Sequence, residues 1–471
     1  MINLRLFVFI LLLSVNQLAA QNTNAQLPNI IVILIDDAGY ADFGFMGSND
    51  LKTPHIDQLA SEGIIFTDAH VSATVCAPSR AGLITGRYQQ EFGFEANHTG
   101  DAQSGELGLP ADVKTIADVL KTKSYNTYAI GKWHLGHLED DYPDQRGFDQ
   151  FYGFLGGARS YFPLKNPNFN QTLRDNRKPV TFGGYLTDVI TDKAISYIKT
   201  SKANPFFMYL AYNAVHTPMH AKKEHLEKFK GHPRKKLAAM TWSLDENIGR
   251  INACLKALDL DDNTIVFFLS DNGGAYSNLS SNAPLKGAKG NKFEGGHRVP
   301  FILKWPKKLP SGIRYHGLTS ALDIFTTSIA AAGIKADKSW NLDGVDLTVS
   351  VLNKSLKPPH QYLFWRKLQE YAVRYNNYKL VGLKTYGSRV YNLTNDLGEN
   401  KDLSNLEPKT SKNLIKAFRK WESTVTKPLW REGDAWESVT FHIQKQLMDN
   451  AEVKYRDPSA MKKYLKSQNQ K

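Results

Sequence analysis

The chain has 471 residues, 42% of them hydrophobic and 22% charged, which is material for a large core and too long for a minimal domain. One large domain with a smaller appendage is the expected organisation, and the absence of long low-complexity tracts and internal repeats excludes a disordered or solenoid protein. The 59 Lys and Arg residues against 46 Asp and Glu give a formal net charge of +13, which favours a polyanionic partner.

Residues 1–20 combine Arg5, an apolar run from Leu6 to Val15, and small residues at Ala19 and Ala20, the pattern of a secretory signal peptide. That run is too short to cross a bilayer and no later segment is longer, so an exported protein, periplasmic or secreted, with no membrane span is expected. Outside the cytoplasm a sulfated or carboxylated polysaccharide suits the charge better than nucleic acid, for which no module or dense basic run is present. Export favours disulfides, yet only Cys76 and Cys254 occur. They could form one bridge; the favoured reading gives Cys76 to chemistry and makes Cys254, in the apolar stretch Ile248 to Leu258, a buried core thiol.

In chain order, Asn29 to Ile35 (NIIVILI) reads as a strand buried on both faces and ends in Asp36 and Asp37. A helical pattern covers Ile56 to Glu62, and a second covers Val113 to Thr122. Tyr125 to Ile130 is strand-like and runs into Gly131, Lys132, Trp133, His134, Leu135 and Gly136. A helix over Thr187 to Thr200 precedes the strand Phe206 to Ala211, which leads to Asn213 and His216. A helix over Ala238 to Leu258 precedes the strand Thr264 to Leu269, followed by Ser270, Asp271 and Asn272. This alternation predicts an α/β fold with a large, mostly parallel or mixed sheet flanked by helices. Ligands of such sheets bind outside the carboxyl ends of the strands, where the polar residues just named fall.

The pattern changes after Leu352. Gln361 to Trp365, Tyr371 to Tyr375, Tyr378 to Gly382 and Arg389 to Asn392 are short and aromatic, with a turn at Asn376 and Asn377. They predict a smaller antiparallel sheet, then a helix from Ser411 to about Ser423 and a polar tail frayed from Asp457 onward. The expected division is 21–355 for the catalytic α/β domain and 356–471 for a C-terminal α+β subdomain.

Cys76, Ala77, Pro78, Ser79 and Arg80 read as a thiol at a helix N-terminus, with proline pre-set for the first turn. Backbone N–H groups and the dipole there attract an anion, and Arg80 adds a full positive charge. Asp36, Asp37, Asp271 and Asn272 offer oxygen donors without cysteine or clustered histidine, a set suited to a hard cation, calcium before magnesium. His216 can transfer protons near neutral pH. His70, His220 and His225 are assigned structural or surface roles.

The stretch from Cys76 through Thr85 and Gly86 resembles the signature of type I, formylglycine-dependent sulfatases of the alkaline phosphatase superfamily, in the form of exported bacterial polysaccharide enzymes. The resemblance implies conversion of Cys76 to formylglycine (3-oxoalanine) by a formylglycine-generating or anaerobic sulfatase-maturing enzyme, with Pro78, Ser79 and Leu83 serving maturation and folding. It further implies a formylglycine hydrate as nucleophile and one calcium ion held by Asp36, Asp37, Asp271 and Asn272. Gly131 to Gly136 is similar to the family's lysine and histidine motif, which places Lys132 on sulfate and His134 on the nucleophile. Lys289, in Lys-Gly-Asn-Lys-Phe-Glu-Gly-Gly-His-Arg-Val-Pro, matches the lysine at the bridging ester oxygen, and His216 or Lys289 protonates the leaving group. Tyr391 to Asp396 is similar to the family's ending before its final helix, so the likeness spans nearly the whole mature chain. His297 departs from the small or aliphatic residue usual there and either reaches the sugar or packs; Arg159 either meets a uronic acid or lies on the surface. The implied substrate is a sulfated polysaccharide or oligosaccharide, algal such as ulvan or carrageenan first and glycosaminoglycan second. The alternatives are a formylglycine-dependent phosphonate or phosphodiester hydrolase and an inactive glycan-binding relative.

Overall fold

The computed structural model describes residues 26–98, 108–201, 204–353 and 358–468. The signal segment expected over residues 1–20 lies outside them.

Asn29–Ile35 forms the expected strand, and Ile30 through Ile35 have no exposed surface. A β-strand turns successive side chains to opposite faces. Ile30, Val32 and Leu34 therefore enter one core with Ala77, Ile84, Ile116 and Phe325, while Ile31 and Ile33 enter another with Ile56, Leu186, Ile190 and Ile248. The helices contributing those residues, Cys76–Thr85, Ile116–Leu120 and Asp323–Ala331 on one side and Pro54–Ser61, Leu186–Thr200 and Lys235–Ala257 on the other, make two layers around the sheet, three with the sheet itself.

Among the described residues that sheet has ten strands, in the spatial order Ile313–Tyr315, Ile64–Phe66, Phe301–Lys304, Thr264–Ser270, Asn29–Ile35, Phe206–Ala211, Asn126–Lys132, Gln150–Phe154, Arg174–Asp175 and Lys178–Pro179. From Thr264–Ser270 to Gln150–Phe154 neighbouring strands are parallel, so Asp36, Lys132, Tyr212 and Asp271 emerge on one edge. Phe301–Lys304 runs antiparallel to both of its neighbours. The outer strands are too short for periodicity to reveal, which is why sequence patterning finds only the middle of the sheet.

A four-stranded antiparallel meander follows: Tyr362–Lys367, Glu370–Tyr375, Tyr378–Leu383 and Gly387–Asn392. Asn376, at φ 48°, makes the tight turn between paired Tyr375 and Tyr378. Leu414 and Phe418 of helix Pro408–Glu422 cover one face, against Val373 and Leu380. Val439, Ile443 and Leu447 of helix Asp434–Met448 cover the other, against Leu363, Trp365 and Val381. The tail corrects the frayed reading. Pro458–Gln468 is helical, and its Met461 and the preceding Tyr455 are buried in the same cluster, because these scattered apolar residues converge only once the sheet is folded. Cys254 is another correction: it is a free thiol only half-buried at the edge of its core, and it forms no bridge with Cys76.

An ion-pair network joins the small sheet to the large one. The Glu294 carboxylate, fully buried, accepts from Arg374 at 2.7 Å and Lys379 at 2.8 Å, both on the small sheet. Arg374 also reaches Asp68 at 3.0 Å. His297 is fully buried and packs rather than facing solvent, stacked on Trp365 at 3.8 Å between ring centroids, 2.8 Å from Lys379 Nζ and 2.9 Å from the buried His70. Removing one partner of a buried pair strands the other charge. Arg374→Met is therefore expected to lower unfolding free energy by about 3 to 5 kcal/mol, read from urea denaturation with an unchanged m-value. A loss below about 1 kcal/mol would show Arg374 to be dispensable to the junction.

Candidate active site

Cys76 is the first residue of helix Cys76–Thr85, entered from extended Val75, and all ten residues of the helix are buried. Pro78 sits in the first turn, where its missing N–H is no loss. The Ala77 N–H donates to Asn97 Oδ1 at 3.0 Å. Gly86, at φ 65°, ends the helix.

Around the Cys76 sulfur lie three buried carboxylates and three cations. Lys132 Nζ donates to Asp36 Oδ2 at 2.7 Å, and Lys289 Nζ donates to Asp37 Oδ1 at 2.6 Å. Arg80 places Nε and Nη2 on Asp271 Oδ2 at 2.9 and 2.7 Å, and Nη1 on the Lys132 carbonyl at 3.0 Å. Lys289 Nζ is 3.0 Å from Cys76 Sγ, which is 3.6 Å from Asp36 Oδ1. Burial alone would raise the Asp36 and Asp37 carboxyls; Lys132 and Lys289 lead the charges that nevertheless hold both below the usual carboxylate range. Burial pushes the Cys76 thiol up to about 12 despite the two lysines, so the unmodified side chain is a neutral thiol.

His134 is buried, and desolvation, followed by Lys132, pushes its pKa well below the ordinary value. It stays neutral. His216 Nδ1 lies 2.5 Å from the Thr217 carbonyl, which fixes the proton there and turns Nε2 towards Asp37 Oδ2 at 3.5 Å. Tyr161 supports this turn, its hydroxyl reaching the carbonyls of Asn213 and His216. Asp37 at φ 62° and His134 at φ 58° both hold left-handed backbone, a strained state for residues with side chains and one that concentrates at functional sites. Two glycines permit close approach. A Cβ on Gly157 would stand 2.6 Å from His134 Cε1, and one on Gly273 would stand 1.8 Å from the Gly295 carbonyl oxygen.

The structure brings together Asp36, Asp37, Cys76, Arg80, Lys132, His134, His216, Asp271, Asn272 and Lys289, the whole set singled out by sequence. Arg159 is different. It is buried rather than on the surface, and its guanidinium lies over the Phe154 and Phe182 rings. Sequence reading also missed the outer wall. Asp37, His216 and Lys289 open into a cavity of about 870 Å³ that is also lined by His98, Tyr276, Trp436 and Arg456. No motif marks the last two, which arrive from the C-terminal segment only through folding.

A parallel sheet that presents carboxylates, two lysines and a helix-borne cysteine at its carboxyl edge defines a hydrolase of anionic esters. The sequence comparison narrows this: residues 28–334 match the Sulfatase family model, and the chain belongs to that family, the sulfuric ester hydrolases. N-acetylgalactosamine-6-sulfatase of Mus musculus is 33% identical over 378 residues, covering 75% of this chain and 72% of the mouse protein. The crystal structure of Ps i-CgsB in complex with k-i-k-neocarrahexaose superposes with a TM-score of 0.81 at 36% identity, covering 89% of this chain and 98% of the other. Ps i-CgsB in a second crystal structure gives 0.82 at 37% identity, with the same coverage.

Cys76 that has not been modified should resist iodoacetamide at pH 8 in the native protein and react after denaturation, as followed by peptide mass spectrometry. Rapid native alkylation would contradict the buried neutral thiol.

Proposed function

We propose that the protein hydrolyses sulfate esters of a sulfated oligosaccharide, carrageenan-type first and glycosaminoglycan second, using formylglycine at position 76 and one calcium ion. The observation that carries this reading is the placement of residue 76 at a buried helix N-terminus, 3.0 Å from Lys289 and next to Asp36. Burial keeps the unmodified thiol neutral, which supports a different nucleophile at that position. Formylglycine there supplies an oxygen nucleophile. Because Cys76 to Thr85 is buried in the folded chain, a maturing enzyme must reach it before the fold closes.

The donor chemistry fits calcium. Asp36, Asp37 and Asp271 are buried carboxylates, and buried Asn272 Oδ1 has no hydrogen-bond partner among the described residues. Ligand atoms of Asp36, Asp37, Cys76 and His216 lie within 4.8 Å of one another, and Asp271 Oδ1 faces the same side, 3.3 Å from the Asp37 nitrogen. Bound calcium supplies positive charge to the sulfate oxygens. Arg80 orients Asp271 and adds charge at the helix start, and Lys132 neutralises charge growing on the sulfuryl group. His134, neutral, hydrogen-bonds to the nucleophile. His216 Nε2 and Lys289 Nζ stand beside Asp37 at the inner end of the cavity, where one gives a proton to the leaving alcohol.

The substrate order rests on the likeness to Ps i-CgsB, whose structure contains a neocarrahexaose, and next on that to the mouse sulfatase. The signal-like N-terminus supports an exported enzyme, periplasmic or secreted, and the net charge of +13 supports an anionic polymer. A phosphonate or phosphodiester hydrolase is the second reading, favoured by the same anion-binding charges.

A panel of carrageenan, ulvan and chondroitin sulfate oligosaccharides, an aryl sulfate and a phosphonate monoester, assayed for released sulfate or phosphonate, tests the proposal. Sulfate release from an oligosaccharide is expected; release only from the phosphonate would refute it. Cys76→Ala and His216→Ala should each lower kcat by about 100-fold or more. Chelation should remove activity and added calcium should restore it, whereas full activity after exhaustive chelation would exclude a metal role. The tryptic peptide spanning residue 76, isolated from protein made in its host, should carry an aldehyde.

A further inference from the structure

We infer that Trp436 and Arg456 form a second sugar subsite beside the reacting sulfate ester, with a neighbouring pyranose ring on the indole and an anionic substituent of that sugar on the guanidinium. This rests on the proposed oligosaccharide substrate. The cavity above Asp37, His216 and Lys289 measures about 870 Å³ and is of the size that encloses a multi-ring ligand rather than a lone sulfate. Helix Asp434–Met448 forms its outer wall. Trp436, Val439, Thr440 and Ile443 recur along one face and line the cavity, while Leu447 is buried behind them.

That wall is fixed to the reaction centre. Gln444 accepts from the Lys292 N–H at 2.9 Å, and the Thr440 methyl stands 3.7 Å from where a Cβ on Gly290, the residue after Lys289, would lie. Trp436 nevertheless leaves half its surface exposed, with no aromatic ring stacked on it among the described residues. A half-exposed indole on the cavity wall presents an apolar face to which the C–H face of a sugar can stack. Arg456 is exposed, with its guanidinium over the Tyr276 ring, 4.5 Å from its centre. The other cationic residues lining the cavity, Lys289 and Lys367, are paired with Asp37 and Glu432. Arg456 has no carboxylate within 4.0 Å among the described residues. Its fork of donors matches two oxygens of a sulfate or carboxylate. Both residues lie beyond 28–334, so this subsite is supplied by a part of the chain outside the family match.

Binding can be read without turnover by calorimetric titration of Cys76→Ser protein with carrageenan oligosaccharides bearing one or two sulfates and with a uronate-bearing chondroitin sulfate oligosaccharide. Trp436→Ala should weaken binding of all three by about tenfold, and Trp436→Phe should recover most of that loss. Arg456→Gln should weaken only ligands with a second anionic group, by about tenfold, so the ligand affected shows whether sulfate or carboxylate is read. Affinities unchanged in both variants, or lowered equally for one-sulfate and two-sulfate ligands by Arg456→Gln, would overturn the subsite. Undetectable binding by Cys76→Ser protein would overturn it as well. Wild-type protein that releases no sulfate while its variants show the expected binding losses refutes the hydrolase reading and leaves the subsite standing.

Discussion

Three carboxylates, Asp36, Asp37 and Asp271, sit within one buried pocket at the sheet edge, and the site can exist only because each is answered by a cation. Bringing like charges together out of water is costly, and the cost is relieved here by Lys132, Lys289 and Arg80 at 2.6 to 2.9 Å. The same balance defines the chemistry. A site with this much positive charge around a few oxygen donors is arranged for an anion and a hard cation together. Its charged groups come from separate strand ends, one helix and the Lys289 loop, so the pocket forms only when the parallel register of the central strands is correct.

The second constraint runs through Glu294. Its short helical turn, Glu294–His297, packs against the loop after Asn272, with the Gly273 N–H donating to the Gly296 carbonyl at 3.0 Å. The Gly295 N–H donates to the Lys286 carbonyl at 2.8 Å, which ties the turn to the Lys289 loop as well. Arg374 and Lys379 clamp Glu294 from the small sheet. The C-terminal residues are thus connected to the pocket twice, through this buried charge network and through the helix that walls the cavity. His297 belongs to that connection.

Much of this was legible in the chain because the relevant signals are local. NIIVILI followed by Asp-Asp, and TIVFFLS followed by Asp-Asn, each place a buried strand and the donors beyond it within a few residues. The cysteine at a helix start is likewise contained in one short stretch. Strands of two to four residues, such as Ile64–Phe66 and Ile313–Tyr315, carry too little pattern to be seen, and they become strands by pairing with neighbours already in place.

The sequence by itself determined the buried strands, the residues at their carboxyl ends and the helix that starts at Cys76, since each depends on side-chain pattern over a few positions. Tertiary structure alone decided how those ends share charge, why His297 packs against Trp365 while Arg159 is buried over aromatic rings, and which distant residues stand over the pocket. Trp436 and Arg456 are 360 and 380 positions from Cys76 in the chain and line the cavity with Lys289 only because two sheets dock. Contacts of that kind depend on packing between elements, which no local pattern encodes.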